Sequence, residues 1–217
     1  VAMYPPSYVA DNRSLGTNQL DIMFRDRLDR PGALSVWASL TTALAEGLKS
    51  EQPNRQLFVY GHSRYGKTAL LAAVYTDAVD GVISHQSGTA GASLMRDSTG
   101  ETLKDVVEGF PHWLSPTASN YADNPRSLPS DSHALIATIA PKSIFLGNAR
   151  RDVWSDPVGA FQAGKWASQN SNLTFTATRL DDFQPSDDIA IWTRSGTHGV
   201  VKEDWPAFLA FLDAHSK

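Results

Sequence analysis

Leu34, Trp37, Thr41, Leu44 and Leu48 recur at the spacing of one helical face, and Ala38 and Ala45 complete the stripe. This period predicts an amphipathic helix from Ala33 to Lys49, packed on a sheet. The pattern then changes to short apolar runs of strand type at Leu57 to Tyr60, Gly81 to His85 and Ser143 to Asn148, and to strict alternation from Leu173 to Leu180. Helical segments fit between them. Tyr65 to Thr76 is rich in Ala and Leu, Pro157 opens a segment running to about Gln169, and Trp205, Phe208, Leu209 and Leu212 mark a closing helix. Strands that alternate with helices predict an α/β fold, with a mostly parallel sheet flanked by helices. Residues 1 to 32, with Pro5-Pro6, Asp11-Asn12 and charges from Arg25 to Arg30, read as mostly loop with at most one short strand or helix. Gly88 to Lys142 is the long irregular excursion, and such segments in α/β proteins often build a substrate site.

With 217 residues, 41% of them apolar, the chain can bury a sizeable core. No repeat, low-complexity tract or linker divides it, so residues 1–217 read as one domain. Its formal net charge of −4 offers no footprint for nucleic acid or anionic lipid. No apolar run approaches the roughly 20 residues of a membrane span. The absence of cysteine excludes disulfides and thiolate metal sites.

Gly61-His62-Ser63-Arg64-Tyr65-Gly66-Lys67-Thr68 admits two readings. Its letters satisfy G-x-x-x-x-G-K-[ST], the phosphate-binding loop of nucleotide hydrolases, and they also fit a nucleophile elbow that lifts a serine above a sheet. A phosphate loop needs a second strand ending in a magnesium-binding Asp. None is convincing here: no Asp stands beside His85, and Asp152 follows Asn148 only after Ala149-Arg150-Arg151. An elbow needs an acid and a histidine downstream, in the chain order of the α/β-hydrolase fold. Asp152, just past a strand end, and His198, in the loop Ser195-Gly196-Thr197-His198-Gly199, supply that order. The other histidines, His62, His85, His133 and His215, read as structural.

The elbow departs from G-x-S-x-G, because Tyr65 stands at the second glycine position and Gly66 follows one residue later. In this it resembles the G-C-S-R-x-G-K motif of the glucuronoyl esterases, carbohydrate esterase family fifteen. The resemblance continues in order through Gly100-Glu101-Thr102, Phe110-Pro111-His112-Trp113, Leu128-Pro129, Asp131, His133, Ile139-Ala140-Pro141, Asp152-Val153-Trp154-Ser155-Asp156-Pro157 and Gly196-Thr197-His198-Gly199. It implies an α/β-hydrolase fold and a cofactor-free, metal-free serine esterase that cleaves glucuronic acid esters in xylan–lignin linkages, in a secreted or periplasmic protein. Ser63 would be the nucleophile, His198 the base and Arg64 an oxyanion partner; Lys67 and Glu101 would contact sugar hydroxyls, and Trp154 would wall the sugar site. The fungal acid position is occupied here by Gln86, a neutral amide, whereas Asp152 matches the bacterial position, so the chain resembles bacterial members and Asp152 is the expected acid. His62 replaces a common Cys and Thr68 a frequent Gly.

Two further expectations follow. An α/β-hydrolase sheet has about eight strands, and the four recognised here correspond to its second half. An upstream N-terminal segment or a second chain is therefore expected to complete the sheet, with the chain read as a C-terminal portion. Other carbohydrate esters, such as acetylated sugars, are the alternative substrates; an inactive carbohydrate-binding relative and, remotely, a nucleotide hydrolase are the alternative functions.

Overall fold

The computed structural model describes residues 8–216; Pro5-Pro6 lies outside the described residues. Four strands, β1 (Phe58–His62), β2 (Gly81–His85), β3 (Ser143–Ala149) and β4 (Ile189–Arg194), form one sheet in the order β1-β2-β3-β4, with every neighbouring pair parallel. Helix α1 (Arg13–Phe24) and α2 (Ala33–Glu51) precede β1. Then α3 (Arg64–Tyr75) joins β1 to β2, α4 (Leu103–Gly109) and α5 (Ser132–Ala137) lie in the excursion before β3, α6 (Pro157–Gln169) joins β3 to β4, and α7 (Asp204–His215) closes the chain.

Strands β2, β3 and β4 bury both faces, as parallel strands covered by crossover helices do, while β1 at the sheet's edge is only partly buried and exposes Tyr60. Along β3, Ile144 and Leu146 join Val82, Ile189, Ile191, Leu70 and Ala163 on the side covered by α3 and α6, while Phe145 points the other way into Ile83, Ala190, Phe208 and Phe211 under α7. The fully buried Phe145 ring meets Phe208 and Phe211 edge-on, with centroids 5.3 and 5.4 Å away. Removing a ring from such a site typically costs about 3–5 kcal/mol through lost transfer and the cavity left behind. A third cluster ties the start of the chain to α2: Trp37 packs with Val9, Leu20, Val106 and Trp113, and its indole N–H donates to the Val9 carbonyl at 2.9 Å.

Several expectations require correction. Leu173 to Leu180 forms no strand. Its alternating threonines are used otherwise: the backbone N–H groups of Thr174, Thr176 and Thr178 donate to the carboxylates of Asp188, Asp187 and Asp182, which removes them from any ladder. The fourth strand is Ile189–Arg194, Ile-Ala-Ile-Trp-Thr-Arg, a β-branched run that the stronger alternation upstream obscured. Residues 13–24 are a full helix, opened by the Asn12 side chain accepting from the Leu15 N–H. On α2 the expected stripe is borne out at Leu34, Trp37, Ala38, Thr41 and Ala45, whereas the α7 face is turned from the expected one. Leu44 is the exposed member of the α2 stripe, and α7 buries Ala207, Phe208 and Phe211 and exposes Trp205 and Leu209.

Candidate active site

The site forms at the carboxyl ends of the parallel strands, where an open α/β sheet leaves a crevice. Strand β1 ends at His62 and α3 starts at Arg64, so Ser63 alone makes the turn, with φ 58° and ψ −129°. This left-handed backbone is costly for a residue with a Cβ and persists where packing imposes it. Two glycines permit the packing. A Cβ on Gly61 would lie 1.9 Å from the Tyr65 carbonyl oxygen, and one on Gly66 would lie 2.9 Å from Cβ of Ser87. Position 66 is therefore where α3 approaches the end of β2. Position 65 faces elsewhere: the Tyr65 ring tilts against Trp37 at 5.7 Å and carries the Arg64 guanidinium 5.1 Å above it. The displaced glycine of the motif follows from this contact.

The same geometry removes the phosphate-loop reading. A phosphate cradle needs a loop of backbone N–H groups between strand and helix, and here none lies between Gly61 and Gly66, because His62 ends β1, Ser63 alone turns and Arg64 and Tyr65 already belong to α3. Thr68 Oγ1 donates back to the Arg64 carbonyl. The buried Lys67 ammonium donates to the Ser87 carbonyl at 2.7 Å and the Thr89 carbonyl at 2.5 Å, and it faces Glu101 Oε2 at 3.4 Å. Burial pulls the Lys67 pKa down, and the Glu101 carboxylate opposes that pull.

Asp152 and His198 are brought together. Nδ1 of His198 lies 2.8 Å from Asp152 Oδ2 and 3.3 Å from Ser155 Oγ, which leaves Nε2 uncommitted. Burial pushes the Asp152 pKa up, but the hydrogen bonds from His198 and Ser155 outweigh it and hold the carboxyl below its ordinary 3.8. The His198 ring meets that of His62, the neighbour of Ser63, at a tilt of 46° with centroids 4.7 Å apart, and His62 in turn lies 5.1 Å from His85. His198 thus lies beside the elbow through its contact with His62, and among the described residues no hydrogen bond joins it to the Ser63 hydroxyl.

The loop carrying His198 is gripped from below. Buried Arg194 at the end of β4 donates through Nη1 to the Ser195 carbonyl and through Nη2 to the carbonyls of Thr197 and Gly199, while its Nε pairs with buried Asp204 at 2.8 Å. Asp204 also accepts from the Val201 N–H, so one ion pair joins β4, the histidine loop and α7. An unpaired charge buried at either place would be strongly unfavourable, which fixes the pair as a unit.

Arg64 is held from the N-terminal side. Its Nε is in ion-pair contact with Asp11 Oδ2, without hydrogen-bond alignment. Asp11 Oδ1 also receives Nε2 of His112 at 3.1 Å and the Trp113 indole N–H at 2.9 Å. Asp11 was legible in the sequence only as a turn residue; nothing in its neighbourhood signals that three partners from α3 and the excursion converge on it. Trp154 follows Asp152 in a 3₁₀ turn (Val153–Ser155) and is half exposed. The Trp154 carbonyl accepts from the Glu101 N–H at 2.8 Å, and Gly100 has no side chain where a Cβ would lie 2.2 Å from the Val153 carbonyl oxygen. Lys67, Glu101 and Trp154 are therefore one connected patch beside the Asp152–His198 pair. Among the described residues no group of His, Asp or Glu could hold a metal ion, and no helix is long and apolar enough to cross a membrane.

His85 sits beyond His62, fully buried, with neither ring nitrogen hydrogen-bonded and Nε2 3.5 Å from Asp204. Burial lowers its pKa from 6.5 to about 4, outweighing the pull of Asp204. The unfolded chain takes up this proton first as pH falls, so the contribution of neutral His85 is complete above pH 6.5 and declines down to about pH 4. Denaturant unfolding measured at pH 7.5 and pH 4.5 should show this loss, and His85→Gln should flatten the slope between them.

Residues 7–171 match the family model described as glucuronyl esterase, fungi. A carbohydrate esterase from an unknown prokaryotic organism is 31% identical over 192 residues, covering 85% of this chain and 44% of that protein. Among solved structures, a promiscuous family 15 carbohydrate esterase from a marine bacterial metagenome superimposes with a TM-score of 0.79 at 31% identity, over 85% of this chain and 49% of its own. The glucuronoyl esterase of Solibacter usitatus gives a TM-score of 0.78 at 29% identity, over 86% and 50%. The chain spans about half the length of these relatives. With its parallel sheet, its one-residue elbow and the match across most of its length, the chain belongs to the glucuronyl esterase family and has the α/β-hydrolase fold.

Proposed function

We propose that the chain carries the site of a serine esterase acting on glucuronic acid esters of glucuronoxylan, with Ser63 as nucleophile, His198 as base and Asp152 as the orienting acid. The observation that carries this reading is the 2.8 Å contact between Asp152 and Nδ1 of His198, which leaves Nε2 for the serine proton while the ring touches the residue next to Ser63. Ser63 Oγ attacks the ester carbonyl carbon as His198 takes its proton. The oxyanion that forms lies by the first turn of α3, where the Arg64 main-chain N–H and guanidinium can donate to it. Collapse expels the alcohol, which takes its proton from His198, and leaves an acyl-enzyme that water hydrolyses by the same base.

Lys67 and Glu101 serve the sugar end in this reading, and Trp154 provides the apolar wall. Both charged groups are nearly buried and paired, so their contribution is a fixed polar floor rather than mobile side chains. Glu101 Oε2 and the Lys67 ammonium are oriented before any ligand arrives, which reduces the ordering cost of binding. The family relationship supports a secreted or periplasmic location for such an activity.

Hydrolysis of benzyl or methyl glucuronate by wild type and Ser63→Ala tests the chemistry. The variant should lose about a thousandfold or more in kcat/KM, and unchanged activity would reject the mechanism; acetylated sugars in the same panel report the alternative ester class. We also propose that the free edge of β1, which pairs only with β2 among the described residues, is covered by further strands from an upstream segment or a second chain, because an open central edge invites pairing. Light scattering on the 217-residue chain should find association, and a stable monomer that hydrolyses the ester would contradict this.

A further inference from the structure

Gln86, at the end of β2, stands where a neutral amide cannot act as the acid of a triad, yet it is one of the most constrained side chains near the site. It is buried at 1% exposure and holds a left-handed backbone with φ 48°. Strain of that kind in a residue other than glycine is retained where neighbours over-determine it. Its N–H donates to the Gly147 carbonyl at 2.7 Å, and its carbonyl accepts from Ser155 Oγ at 3.4 Å, the hydroxyl that also faces His198.

The amide itself reaches both sides of His198. Its Nε2 donates to the carbonyl of Thr197 at 3.2 Å, and its Oε1 accepts from the N–H of Gly199 at 2.9 Å. The same oxygen lies 3.0 Å from Nε2 of His62, whose ring is in tilted contact with that of His198 at 4.7 Å. An oxygen already accepting from one N–H can be shared only with a donor, so this contact places the His62 proton on Nε2. A carboxylate at this position would accept from His62 and Gly199 but would repel the Thr197 carbonyl. The main-chain polarity around His198, carbonyl before and N–H after, therefore matches an amide and not an acid.

We infer that Gln86 is a positioning residue for the base: it clamps the backbone on both sides of His198 and fixes the tautomer of the His62 ring that His198 touches. This rests on the reading of His198 as the base. Arg194 grips the Thr197 and Gly199 carbonyls from beneath, so the loop is held from two directions, one cationic and one neutral. Around His62 the titratable groups are His198, His85, Asp152 and Asp204, and burial lowers the His62 pKa ahead of the opposing bond to Gln86. A neutral His62 places no second positive charge beside His198 when that ring takes up the serine proton.

The test compares wild type with Gln86→Leu, which keeps most of the volume and removes all three amide contacts. In ¹⁵N-labelled protein, the wild-type His62 ring should be protonated at Nε2, and the Gly199 amide should exchange slowly. In the variant, His62 should show a mixture of tautomers and Gly199 should exchange faster. With benzyl glucuronate, kcat should fall roughly tenfold, as expected for losing the two hydrogen bonds that flank His198, with KM within about twofold. An unchanged tautomer, unchanged Gly199 exchange or unchanged kcat in Gln86→Leu overturns the inference. If that variant does not fold, Gln86→Glu keeps the acceptor and loses the donor; it should retain the His62 tautomer with reduced kcat, and wild-type kcat in it overturns the inference equally. Ser63→Ala run alongside separates the two levels: full hydrolysis in that variant, or none in wild type, rejects the esterase reading, while the ring and amide spectra still decide the clamp.

Discussion

The turn from β1 into α3 is a single residue, and everything at the carboxyl end of the sheet depends on that brevity. A strand can pass into a helix in one residue only if the helix lies almost against the next strand, and Gly66 makes that approach possible by presenting no side chain to Ser84 and Ser87. The strain this puts on Ser63 is compensated within the sheet: its own N–H continues toward the His85 carbonyl at 2.8 Å, and its carbonyl accepts from the N–H groups of Gly66 and Lys67. Lengthening the turn would relax Ser63 and move it away from His198. The elbow, the helix N-terminus and the buried Lys67 beneath it are consequences of one close contact between α3 and β2.

The second half of the site is organised by charge rather than by shape. Asp152 leaves β3 and His198 follows β4, so their meeting requires two loops from adjacent strands to keep fixed relative positions. The Arg194–Asp204 pair supplies this for the histidine loop by linking it to α7, and Asp156 supplies it for the acid loop. Asp156 accepts from Thr99 and from the N–H of Gly159, while Ser93 donates to the Ser155 and Asp156 carbonyls. The excursion between β2 and β3 is thus stitched to the loop that bears Asp152, which explains how Glu101 and Trp154, 53 positions apart in numbering, become neighbours through a main-chain hydrogen bond.

Much of this was legible in the sequence, and the failures have physical causes. The helices α2, α3 and α6 and the strands β1, β2 and β3 follow from local period and from proline and glycine punctuation, and the order Ser63, Asp152, His198 follows from the spacing of motifs. The threonines after Leu173 imitate a strand because alternation reports exposure on two sides, and here one side is satisfied by aspartate side chains instead of a neighbouring ladder. The roles of Asp11, Gln86 and Arg194 were hidden because each acts through partners distant in the chain: Asp11 meets residues 64, 112 and 113, and Gln86 meets residues 62, 197 and 199. Local pattern carries no record of such convergence. Gln86 in particular read as a missing acid when its geometry is that of an amide.

The central claim is that His198, oriented by Asp152, makes Ser63 a nucleophile. Treatment with a serine-directed phosphonate ester followed by peptide mass spectrometry tests it directly. The account predicts one phosphonyl group on Ser63 in the wild-type chain and slow or absent labelling in His198→Ala. Labelling of another serine, or equal labelling of Ser63 without His198, would contradict it.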